Sequence, residues 1–229
     1  MKLEQKSAMW TSSQRVTSEP VAISPWMDRV LAAFSLSLLS LSVFSAPMVT
    51  RSQMAILIVI GAGVLYISST NGRTAERITQ RRVALFLVLL LNVYLIRLAD
   101  GWAGKVLYGY TPTEVGGLIG LAVFVLWCVR TIRLNEFKIV RSMVDAAVLF
   151  LFFLTTTGFL GLAVMLHLNG LSPQVKSDPL WVVLCAALLY FIFADLFESE
   201  LAIRRTLRLS LFPMAAVCLL APLAFWLTK

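Results

Sequence analysis

Apolar residues in this chain are gathered into seven blocks. Each is about as long as a helix must be to cross the hydrocarbon core of a bilayer, roughly 17–25 residues. The blocks run from Val30 to Val49, Met54 to Ser69, Val83 to Ala99, Val115 to Val129, Met143 to Leu168, Leu180 to Phe197 and Leu209 to Leu227. Backbone polar groups in hydrocarbon must be satisfied within the segment or around a closed barrel. Barrel strands would show about ten residues of strict apolar alternation, which these blocks lack. The expectation is an all-α polytopic membrane protein of about seven transmembrane helices. Pro213 and Pro222 are expected to kink the last of them.

Composition agrees with that reading. Of the 229 residues, 59% are apolar and 14% charged, whereas a soluble domain is about half apolar and a quarter charged. Residues 1–28 read as a polar cytoplasmic tail. Residues 29–229 read as a single membrane domain with short loops and no soluble module. The run Arg29 to Ala46, ending Val43-Phe-Ser-Ala46, has some features of a cleaved signal peptide. The polar tail before it is long for one, so the block is expected to be retained.

Positive charge supplies an orientation. The tail, the second connection and the fourth connection hold four Lys or Arg each, and the sixth holds three, so one side carries fifteen. The other side carries five: Arg51, Arg97, Lys105, Lys176 and Lys229. The positive-inside rule then expects the N-terminus in the cytoplasm and the C-terminus outside. A plasma membrane is implied, with a bacterial inner membrane as the working assignment. The net charge of +8 lies beside apolar spans, which points to anionic lipid head groups rather than nucleic acid. No aromatic and basic nucleic-acid module is present.

Ionisable residues within or beside the spans are the candidates for chemistry, because charge in hydrocarbon is costly. On the cytoplasmic side Asp145, Asp195 and Glu198 form an acidic set, the last two three residues apart and so on one helical face. They suit cation coordination or proton relay in a coupled transporter. The favoured expectation is that they pair with Arg130, Arg133, Arg141 or Arg204 near helix ends.

On the outer side lie Arg97, Asp100, Lys105, Glu114 and His167, with Tyr108 and Tyr110 between. Such a set could hold a lipid-linked phosphate or glycan, with His167 as base. The favoured expectation is a solvated rim containing an Arg97–Asp100 pair. The segment Arg130, Arg133, Lys138 and Arg141 has helical spacing with apolar residues between. It reads either as an interfacial helix on anionic lipid or as a continuation of the fourth helix into water. Glu200, Arg204 and Arg208 suggest a helical extension before the seventh block.

Gly116 and Gly120 form a GxxxG face, which permits close helix approach. Thr155-Thr-Thr-Gly158 resembles a potassium filter only faintly, and its hydroxyls are expected to bond back to helix carbonyls. Cys128, Cys185 and Cys218 read as small buried apolar residues. There is no P-loop, HExxH or GxSxG. With one histidine, no metal site or cofactor is expected. The expectation is a non-catalytic subunit, or small transporter-like component, of a membrane assembly with other membrane subunits as partners. The alternatives are an enzyme on a lipid-linked phosphate or glycan and a proton- or cation-coupled transporter.

Overall fold

A computed structural model describes residues 25–70, 75–103, 109–134, 142–169, 178–196 and 200–227. Among these residues there is no strand. The helices are α1 (Pro25–Ser40), which runs directly into a 3-10 helix, Leu41–Met48, then α2 (Arg51–Ser69), α3 (Ala75–Ala103), α4 (Pro112–Leu134), α5 (Met143–Leu168), α6 (Asp178–Leu196) and α7 (Glu200–Leu227). Among the described residues five segments are long and apolar enough to cross a membrane: Arg29–Met48, Arg51–Ser69, Glu76–Asp100, Pro112–Ile132 and Ile203–Ala224. Helices α5 and α6 contribute shorter apolar stretches, Met143–Gly158 and Leu180–Leu196. The protein is a polytopic α-helical membrane protein.

Helix ends differ from the sequence expectation where capping chemistry intervenes. Arg51-Ser-Gln, expected as a connection, is the first turn of α2. Thr50 caps it, with Gln53 N–H donating to Thr50 Oγ1 and Thr50 N–H donating to Gln53 Oε1. This reciprocal box satisfies two of the donors that a helix start leaves orphaned. Helix α4 begins at Pro112 rather than Val115, by the same device. Glu114 N–H donates to Thr111 Oγ1 at 3.2 Å, and Thr111 N–H donates to Glu114 Oε2 at 2.8 Å. Pro112 at the first helical position has no N–H to leave unsatisfied. Helices α3 and α7 each start eight or more residues before their apolar blocks. The basic residues Arg77, Arg81 and Arg82 are therefore helical, as are Arg204, Arg205 and Arg208.

Helix α3 is the axis of the bundle. Half of its apolar window is buried, against 17% for α2 and α4, which present wide apolar faces outward. Leu85, Val88, Leu89, Asn92 and Ile96 make its inward stripe at helical spacing. Against this stripe pack the 3-10 segment, α6 and α7. The 3-10 run of eight residues is long for its type. Its serines explain part of it: Ser42 Oγ donates to the Leu39 carbonyl and Ser45 Oγ to the Ser42 carbonyl, both at 2.7 Å. Pro47, inside the run, lacks the N–H that an α-helical turn would use. A narrow helix carrying small side chains can sit close between α3 and α7.

Successive helices run in opposite senses, and their contacts define two ends. Three separate groups lie at one end, called here the basic end: Thr70 with Arg81 and Arg204, Arg82 with Asp145, and Arg130 with Asp195. Gln53, Tyr94, Arg97, Asp100 and Thr113 lie toward the other.

Candidate functional site

Asp145 occupies the first turn of α5 and is 2% exposed. Ser142 caps that turn, its Oγ accepting from the Asp145 N–H at 3.2 Å. A carboxylate at the third position of a helix is favoured by the orphaned amides and by the helix dipole. From α3, Arg82 Nη1 lies 2.6 Å from both carboxylate oxygens and also donates to Ser142 Oγ at 3.2 Å. From α6, Tyr190 Oη donates to Asp145 Oδ1 at 2.6 Å. The Tyr190 ring is fully buried and stacked edge-on against Phe86 at 5.9 Å. One carboxylate thus ties three helices together. Asp145 does pair with an arginine, as expected, but the partner is Arg82, which lay outside the four arginines considered. The helical extension of α3 put it there.

Asp195 has a separate set of partners. Arg130 Nη1 and Trp127 Nε1 of α4 each donate to its Oδ2 at 2.9 Å. The Arg130 and Asp195 side chains are 14% and 16% exposed, so this is a half-sheltered α4–α6 link rather than a solvated pair. Asp145 and Asp195 therefore do not share a site, and Glu198 lies outside the described residues. Among the described residues no three His, Cys, Asp or Glu side chains could together hold a metal ion. Asp195→Asn keeps an acceptor for Trp127 and loses the charge facing Arg130. It is expected to destabilise the protein by about 1–3 kcal/mol, since charge-assisted hydrogen bonds exceed neutral ones. Thermal unfolding of the variant in detergent measures this, and an unchanged midpoint would mean that water reaches the pair.

The Thr70 carbonyl, at the C-terminal cap of α2, accepts from Arg81 Nη2 at 2.8 Å and also from Arg204 Nη2. Two guanidinium groups thus meet the negative end of the α2 dipole. Arg81 is 1% exposed, which for so long a side chain marks a structural rather than a lipid-facing role. Of the basic segment, α4 continues as helix through Leu134. Arg130 is engaged by Asp195. The side chain of Arg133, and Lys138 and Arg141, lie outside the described residues.

At the opposite end, Arg97 Nη1 donates to Asp100 Oδ2. Asp100 Oδ1 accepts the Thr113 N–H at 2.9 Å, so the α3 carboxylate also caps α4. The expected Arg97–Asp100 pair is therefore present and has a second task. Glu114 belongs to the α4 cap and is exposed. Lys105 and the side chain of His167 lie outside the described residues.

One buried polar group was not expected. Asn92 is 0% exposed, about 15 Å along α3 from Arg82 and about 8 Å from Arg97. Ser42 Oγ donates to Asn92 Oδ1 at 3.1 Å. Asn92 Nδ2 donates to the Val88 carbonyl at 2.9 Å and to the Ser210 carbonyl of α7 at 3.2 Å. The neighbouring Leu209 carbonyl faces Pro213, which has no N–H to offer it. A lone asparagine in an otherwise apolar stretch of α3 is the sequence signal for this knot. The threonines of α5 follow expectation: Thr155, Thr156 and Thr157 donate to the Leu151, Phe152 and Phe153 carbonyls at 2.8–2.9 Å.

The class defined by this geometry is a multi-pass α-helical membrane protein whose helices are tied by polar groups at both ends and by a buried asparagine near the middle. Compared with protein-family models, with curated proteins and with solved structures, the chain matches none.

Proposed function

We propose that this chain is a non-catalytic component of a membrane assembly, set in a bacterial inner membrane with its basic end in the cytoplasm. The observation that carries this reading is the state of Asp145. A carboxylate that binds a cation or proton during transport must exchange with water or ligand. Asp145 is 2% exposed and held by Arg82, Tyr190 and the cap of its own helix. Asp195 is likewise engaged by two α4 side chains. These carboxylates act as helix ties, each bonded to an arginine of another helix.

The test is the particle released from native membranes by mild detergent. Native mass measurement should find this 25.4 kDa chain joined to at least one other kind of chain. A particle containing this chain alone would overturn the proposal.

Orientation rests on the fifteen-to-five division of Lys and Arg. Reporter fusions after Arg82, Arg141 and Arg208 are expected to report cytoplasm, and fusions after Lys105 and Lys176 the opposite side. A fusion after Arg141 that reports the outside would reverse the assignment. On the cytoplasmic side, anionic lipid is the expected companion of the basic connections.

A further inference from the structure

The GxxxG face of α4 does not close against another helix along its whole length. An added Cβ at Gly116 would meet Leu38 Cδ1 at 3.3 Å and Leu41 Cδ1 at 3.5 Å, so that glycine packs against the first pass. Gly117 and Gly120 have nothing within 4 Å. They form one wall of a cavity of about 260 Å³ between α3, α4 and α6. The cavity is larger than the ~150 Å³ apolar voids that hold a single benzene. It is too small for most drug-sized ligands, whose sites start at about 300 Å³.

Its shape and chemistry indicate one kind of occupant. On α4 the lining runs from Thr113 to Phe124, and on α6 from Trp181 to Ile192. Each stretch is twelve residues, or about 16 Å of helix from first to last. That is about half of a ~30 Å hydrocarbon core, the depth of one leaflet. The walls are almost wholly apolar, and Trp181, 43% exposed, stands at the end where aromatic side chains mark the interface. The polar groups sit at that same end. Arg97, whose Nη1 also donates to Asp100, lines the cavity with its side chain 39% exposed. Thr113 Oγ1 is buried and has no hydrogen-bond partner among the described residues. A cationic group and an orphaned hydroxyl above an apolar slot one leaflet deep match a lipid phosphate above its chain.

We infer that this cavity holds one acyl chain of a phosphate-bearing membrane lipid, with the phosphate at Arg97 and Thr113. The lipid belongs to the leaflet at the sparsely charged end. Its chain fills the space that Gly117 and Gly120 leave open between α4 and α6.

The test is lipid retention by the purified full chain, measured by native mass spectrometry after exchange from nanodiscs. The nanodiscs contain phosphatidic acid and diacylglycerol with identical chains. The wild-type protein should retain phosphatidic acid about tenfold over diacylglycerol, the scale of one charge-assisted phosphate contact. Gly120→Phe should fill the slot and abolish retention of both. Gly117→Leu serves the same purpose if the phenylalanine variant fails to fold. Arg97→Gln should retain the two lipids equally, whereas Arg97→Lys should keep the preference. Equal retention of both lipids by the wild type would overturn the inference, and so would undiminished retention by a folded slot-filling variant.

Discussion

Replacing Arg82 by methionine is expected to destabilise the protein by about 3–5 kcal/mol, the loss typical when one partner of a buried ion pair is removed. The reason is the environment of Asp145. With 2% exposure, its carboxylate would keep the Tyr190 hydroxyl but lose the Arg82 guanidinium that lies 2.6 Å from both of its oxygens. Asp145→Asn should cost less, since an amide oxygen still accepts from Tyr190. The double replacement Arg82→Met with Asp145→Leu should recover much of the loss, because a packed apolar pair needs no desolvation of charge. Denaturant unfolding in mixed micelles gives all of these values. Wild-type stability in Arg82→Met would mean that the pair is hydrated. Full retention of cellular activity by the double variant would further favour a structural role for the carboxylate over a transport role.

The second large effect is expected at Asn92. Asn92→Ala removes hydrogen bonds to the 3-10 segment and to α7 and leaves a gap at a fully enclosed point of α3. Interhelical hydrogen bonds in membranes contribute from about 0.6 to 2 kcal/mol. With two helices affected, a loss of about 2 kcal/mol is expected. Ser42→Ala removes only one of these bonds and should cost about 0.6 kcal/mol. The two variants are compared by the same unfolding titration. Equal effects would show that the bond to Ser42, and neither the α7 bond nor the lost volume, carries the contribution of Asn92.

Several helix starts were legible in residues that carry their own chemistry. Thr50-Arg-Ser-Gln53, Thr111-Pro-Thr-Glu114 and Ser142-Met-Val-Asp145 share one spacing: a hydroxyl, then a side-chain acceptor three residues later. Counting hydropathy alone places the first two helix starts three residues late, because capping turns are polar. The amphipathic starts of α3 and α7 are missed for the same reason. Their first turns carry arginines, which hydropathy reads as loop although the helix continues.

The pairing of charges followed a different logic. Arg97 with Asp100 is readable because three residues span one helical turn. Arg130 with Asp195 is readable only as one choice among several arginines. Arg82 with Asp145 spans 63 residues and depends on α3 lying beside the start of α5. Asn92 gave a signal in being the one amide within its apolar run, but its partners on the first and last passes did not.

What the sequence alone determined was the class of structure: apolar blocks of bilayer length must be helices, because hydrocarbon offers their backbones no other partner. The distribution of Lys and Arg added an expected orientation. Which helices touch, and which glycines pack rather than border a cavity, only the tertiary structure decided. Hydropathy is nearly uniform around a lipid-embedded helix, so it cannot mark the inward face. That choice rests on the fit of side chains and on a few polar groups, such as Asn92, Asp145 and Asp195, that must find partners across the bundle.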